Sequence, residues 1–140
     1  MANWVGYARS NYFKVKDTAA FKAWADTVPD VEVIESNLDK GFMIEVGRAS
    51  DNGGWPSTRF DDDKEDDVPF DLWGELAPHL VDGEVAIMME IGHEGMRYVT
   101  GHAVAVHSSG KHVAIGLTDI YGLAAKKFKV PLEAISEAQY

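Results

Sequence analysis

The sequence contains no cysteine, and that single absence removes disulfides, thiolate metal sites and a cysteine nucleophile. Stability therefore has to come from packing. Long apolar runs are missing too: the longest, Val85 to Met89, falls far short of the ~20 residues of a membrane-spanning helix. The N-terminus lacks the charged start and apolar segment of a secretory signal, so the expected location is the cytoplasm. Cations are scarce, with 13 Lys and Arg against 23 Asp and Glu and a formal net charge of -10. An acidic surface repels nucleic-acid and membrane phosphates and attracts basic protein surfaces, which points to a protein partner and not to a membrane.

The motifs of common catalysts are absent as well. There is no G-x-S-x-G for a serine nucleophile. Ser108-Ser109-Gly110-Lys111 matches part of a phosphate loop, but the first glycine is missing and His112 stands where Ser or Thr belongs. His79, His93, His102, His107 and His112 show no zinc spacing. His102 and His107 should point to opposite faces of one strand, and His107 and His112 should flank a turn. The expectation is a protein that is not an enzyme and takes no cofactor or metal.

What is present fits one domain. At 140 residues and 46% hydrophobic content, the chain can bury one core, so a single domain over 1–140 is expected. Trp4 to Ser10 and Tyr12 to Val15 read as extended. Asp17 or Thr18 caps a helix whose Phe21, Trp24, Ala25 and Val28 recur at helical spacing until Pro29 stops it. Val31 to Ile34 and Phe42 to Val46 read as a hairpin. A long irregular loop is expected over about 47–68, a second helix over Pro69 to Leu80, and three strands at Glu84–Ile91, Met96–His107 and Lys111–Gly116 forming the sheet's centre. A last helix from Thr118 to Phe128 is expected to turn Ile120, Leu123, Ala124 and Phe128 inward, before a loosely ordered tail from about 131. The fold class is α+β: a mostly antiparallel sheet of five to six strands packed with three helices, plus one long acidic loop.

That loop holds the loudest signal. Residues 51–71 carry eight acids against two cations, while residues 1–50 are close to neutral. The run Asp61-Asp62-Asp63-Lys64-Glu65-Asp66-Asp67 fails as an EF-hand, because the sixth position from Asp61 is Asp66 and the twelfth is Leu72, where glycine and glutamate are needed. Three readings then stand: weak adventitious cation binding, a solvated loop, or a charged surface that fits a basic groove of the kind that holds nucleic acid. Trp55, between glycines and a proline, is either an interface anchor or a lid on the core. Near the N-terminus, Tyr7, Arg9, Tyr12, Lys14 and Lys16 mix aromatics with cations as single-strand nucleic-acid platforms do. The plainer reading is a strand with one buried face and solvated lysines on the other.

Arg9-Ser10-Asn11-Tyr12-Phe13-Lys14-Val15-Lys16-Asp17 leading into a helix, Gly53-Gly54-Trp55-Pro56, Glu90-Ile91-Gly92 with Arg97-Tyr98, and Asp119-Ile120-Tyr121 together resemble an uncharacterised family of small acidic bacterial proteins. Its members are carried on plasmids, phages and integrative elements. The resemblance implies a mobile-element context, in which small acidic proteins often inhibit host defence as anti-CRISPR or antirestriction factors. Concentration of the charge in one loop favours a local acidic plug over full-length DNA mimicry. The expected function is inhibition of a host nucleic-acid-directed defence complex through Trp55, Asp61, Asp62, Asp63, Glu65, Asp66 and Asp67. The alternative is a nucleic-acid-binding accessory module for plasmid or phage maintenance that uses Tyr7, Arg9, Tyr12, Lys14 and Lys16.

Overall fold

A computed structural model describes residues 4–46, 53–95 and 97–138. Residues 47–52 of the expected loop, Met96 and the last two residues of the tail lie outside the described residues. The elements run β1 (Trp4–Ser10), α1 (Thr18–Ala25), β2 (Glu32–Glu35), β3 (Phe42–Val46), β4 (Thr58–Asp61), β5 (Asp66–Pro69), α2 (Leu72–Leu76), β6 (Val85–Glu94), β7 (Arg97–His107), β8 (His112–Gly116) and α3 (Asp119–Phe128). Six strands make one antiparallel sheet in the order β2-β3-β1-β6-β7-β8, and β4 and β5 form a separate hairpin. The α+β class is as the sequence indicates.

The centre of the sheet is not where the sequence placed it. β1 lies between β3 and β6, pairing with β6 from Trp4↔Glu94 to Ser10↔Met88, and β8 forms an edge. A pairing across that sequence distance leaves no trace in local periodicity, which reports which faces are apolar but not which strand is the neighbour. The chain after β1 is not a strand. Only Phe13 and Val15 make isolated bridges, to Phe42 and Leu80.

One face of the sheet carries the core. Strand alternation sends Ala8, Ser10, Ile44, Met88 and Val104 to the same side, where all five are buried. α1 covers this face because the Asp17 carboxylate accepts the Ala20 N–H at 3.1 Å and starts the helix, which points Phe21 into the sheet. Phe21 is fully buried, 5.7 Å edge-on from Phe13 and 5.5 Å from Phe42 between ring centroids. Leu76, Ala77 and Leu80 complete the layer. Ser10 is the buried polar member, donating to the Asn11 carbonyl and accepting the Ile44 N–H at 3.0 Å.

α2 is shorter than expected. Pro69 closes β5, where a missing N–H is tolerated at a strand end, and Asp71 caps the helix by accepting the Gly74 N–H at 3.1 Å. The stretch containing Pro78 is a 3-10 turn, Ala77–His79. β6 extends through Glu94 with a register shift between Gly92 and Glu94, so the turn into β7 is narrower than Gly92 to Gly95. His102 and His107 fall on opposite faces, as alternation requires, and His102 Nε2 lies 3.1 Å from Glu90 on the neighbouring strand.

The largest departure concerns α3. The helix forms where expected, but no residue in it is buried: Ile120 and Leu123 are exposed and Phe128 is 70% exposed. Its start is fixed at the sheet's edge strand, where the Asp119 carboxylate accepts the Gly116 N–H at 2.7 Å, so the helix does not reach the core. The tail beyond it forms a 3-10 turn, Leu132–Ala134, and the Ala138 N–H donates to the Tyr121 hydroxyl at 2.7 Å.

Truncating Phe21 to Ala removes the side chain that joins helix and sheet. Chemical denaturation should show a loss of about 3–5 kcal/mol, the cost of an unfilled aromatic cavity.

Candidate functional site

The acidic run folds as a finger. Thr58 to Asp61 alternates inward and outward, Arg59 facing the body opposite Val68, and Phe60 facing solvent opposite Asp67. The Asp61 side chain makes the turn by accepting the backbone N–H groups of Asp63 at 2.9 Å and Lys64 at 3.2 Å. Glu65 takes the left-handed conformation at φ 52 and returns the chain to β5, where Asp66 accepts the Asp67 N–H at 2.8 Å. Part of the segment expected to be irregular is thus an ordered hairpin. The signal was available in Thr58-Arg59-Phe60, a short run of strand-forming residues, but the surrounding acids obscured it.

The finger is fastened to both helices of the core layer. The Arg59 guanidinium makes two 2.8 Å hydrogen bonds to Glu75 of α2 and lies 4.5 Å over the ring of Phe70. Glu75 Oε1 also accepts Trp24 Nε1 of α1 at 3.0 Å. Burial by itself would raise the Glu75 pKa. The hydrogen bonds from Arg59 and Trp24 and the charge of Arg59 outweigh it, against a small opposing push from Asp71, and hold the carboxyl below its ordinary range.

Asp62, Asp63, Glu65, Asp66 and Asp67 are exposed and Asp61 is half-buried. Among the described residues, no group of three His, Asp or Glu is arranged to hold a metal ion. Phe60, 60% exposed on the outer side of the hairpin, adds an apolar element that the sequence reading overlooked.

Trp55 sits at the root of the finger, in the lid arrangement. It is half-buried, packs edge-on to Trp73 at 6.2 Å and joins the rim of the core. Its backbone N–H donates to Glu90, the residue that pairs with His102, so Glu90 ties this strap to the sheet. Gly53, at φ 68, lies against the Gly6 backbone so closely that a Cβ there would collide with it.

The N-terminal aromatic and basic residues do not form one platform. Tyr7 and Arg9 lie on the sheet face opposite the helices, where the Tyr7 hydroxyl donates to Glu45 at 2.7 Å. Tyr12, Lys14 and Lys16 are in the connection after β1, and Lys16 pairs with Asp82 at 3.1 Å. Carboxylates therefore stand beside members of both groups, and a phosphate backbone would meet repulsion there.

The fold and this surface define a helix-covered antiparallel-sheet protein that carries a braced acidic hairpin. No family model, no curated protein and no solved structure matches the chain.

Because the folded-state pKa of Glu75 is depressed, its contribution to stability is present at neutral pH and is lost as pH falls through the folded value. The melting-temperature gap between wild type and Glu75→Gln should be open at pH 7 and close on acidification into the carboxylate range. A gap independent of pH would show that the carboxylate charge does not brace the finger.

Proposed function

We propose that this chain is a non-enzymatic protein that inhibits by occlusion, inserting its acidic hairpin into a basic groove that otherwise holds nucleic acid. The supporting observation is the bracing of the finger: five exposed acids within Asp62–Asp67 sit on a hairpin that Arg59 locks to Glu75 and, through it, to Trp24. Ordering the charges in advance lowers the entropic cost of presenting them to a partner. Their mutual repulsion is relieved when a cationic surface takes the place of water, which supplies a reason to bind.

A host defence complex directed at nucleic acid, of the anti-CRISPR or antirestriction target type, offers such a groove in the cytoplasm. Trp55 then acts as a support beneath the finger, Phe60 packs against the groove wall, and the acids stand in for phosphates. The alternative of direct nucleic-acid binding gains no support from the separated positions of Tyr7 and Arg9 on one side and Tyr12, Lys14 and Lys16 on the other.

In cells with an active restriction or CRISPR system, expression should raise the survival of incoming phage or plasmid DNA. The combined variant Asp61→Asn, Asp62→Asn, Asp63→Asn, Asp66→Asn and Asp67→Asn should abolish that gain while remaining folded. Association with the target should weaken tenfold or more as salt is raised well above physiological strength, about 0.15 M. Protection by the five-residue variant equal to that of wild type would reject the acidic finger as the inhibitory element.

A further inference from the structure

The face of the sheet opposite the helices is apolar in an unusual way. An antiparallel sheet with one wet face normally alternates apolar and polar residues, whereas Val85–Met89 of β6 and Val113–Ile115 of β8 are apolar on both sides, the pattern of strands covered on both faces. Met89 and Ile91 of β6, Val99 of β7, and Val113 and Ile115 of β8 are all exposed on this side, Ile115 by 67%. Among the described side chains of these strands no Asp, Glu, Lys or Arg shares it, and of the described outward positions only His93 and His107 are titratable.

A second uncovered surface adjoins the first. Ile120, Leu123 and Phe128 of α3 are exposed, yet the helix is amphipathic, with Lys126 and Lys127 in its last turn. An apolar groove of about 520 Å³ lined by Val5, Ile91, Val99 and Leu117 continues into one of about 490 Å³ lined by Val99, Leu117, Ile120 and Leu123. The helix does not lie across its own sheet: the Leu117 N–H donates to Gly101 at 2.8 Å and Asp119 accepts from Gly116, which holds the connection at the edge.

We infer that this face is a homodimer interface, in which α3 of each copy lies across the apolar outer face of β6–β8 in the other. A second copy is the occupant because the chain carries both complementary surfaces, a sheet lacking a helix and a helix lacking a sheet, and a two-fold arrangement satisfies both at once. The area is sufficient. Seven large apolar side chains on the sheet side and three on α3, at roughly 80–100 Å² apiece, give about 800–1,000 Å², matching the ~800 Å² each partner buries in a standard complex. The acidic run that carries much of the net charge of -10 lies with the helices, away from this face. The acidic finger is fastened to α1 and α2 on the far side of the sheet, so the two fingers point outward from the pair.

Sedimentation velocity and light scattering on the full chain test this, independently of the occlusion reading. At about 10 µM the expected mass is twice 15.4 kDa, and it should persist in 0.5 M salt, since burial of apolar surface is not screened. Ile115→Asp on the sheet and Leu123→Asp on the helix should each give a monomer with unchanged circular dichroism, both sites being exposed in the single chain. The five-Asn finger variant should stay dimeric even though it loses inhibition. A monomeric wild type at about 100 µM, a dimer dissolved by salt, or dimers that survive both Asp substitutions would each overturn the inference.

Discussion

Phe21 is the contact on which the rest of the molecule depends. It is the side chain through which α1 reaches the sheet, wedged among Phe13, Phe42 and Trp24 and lying edge-on to His79. With that wedge in place, Trp24 is held where its indole N–H meets Glu75, and Glu75 is held where it meets Arg59. An exposed, highly charged hairpin is thus connected, contact by contact, to an aromatic cluster in the core. Such coupling is needed because two short strands are marginal alone, and six acids in seven residues repel one another.

The same wedge polarises the molecule. It draws both α1 and α2 onto one face of the sheet, leaving the other to whatever the chain or a second chain can supply. The acidic finger consequently stands beside the helices, and the exposed Met89, Ile91, Val113 and Ile115 lie on the other face of the sheet.

Much of this was legible in the sequence. The Asp17 cap, the Phe21–Ala25 part of the helical stripe, the β2–β3 hairpin and the three later strands follow from nearest-neighbour chemistry: a carboxylate that accepts a free N–H, apolar residues at helical spacing, turns closed by glycine; the helix itself ends at Ala25, ahead of Val28 and Pro29. The acidity of the Asp61–Asp67 segment and its failure as a calcium loop were equally plain. The hairpin within it was harder to see, because the acids around Thr58-Arg59-Phe60 obscured a short strand, and its fastening depends on Arg59 meeting Glu75 sixteen residues away.

The sequence by itself determined the fold class, most of the helical and extended segments and the place of the charge, since each of these is set by residues within a few positions of one another. Only the tertiary structure decided that β1 sits between β3 and β6, that Trp55 folds back onto Trp73, and that α3 buries none of its apolar residues. An amphipathic stripe records that a helix has an apolar side. What covers that side is a matter of long-range geometry, and here the short link from Leu117 to Asp119 pins the helix to the edge of the sheet whose face its pattern matches.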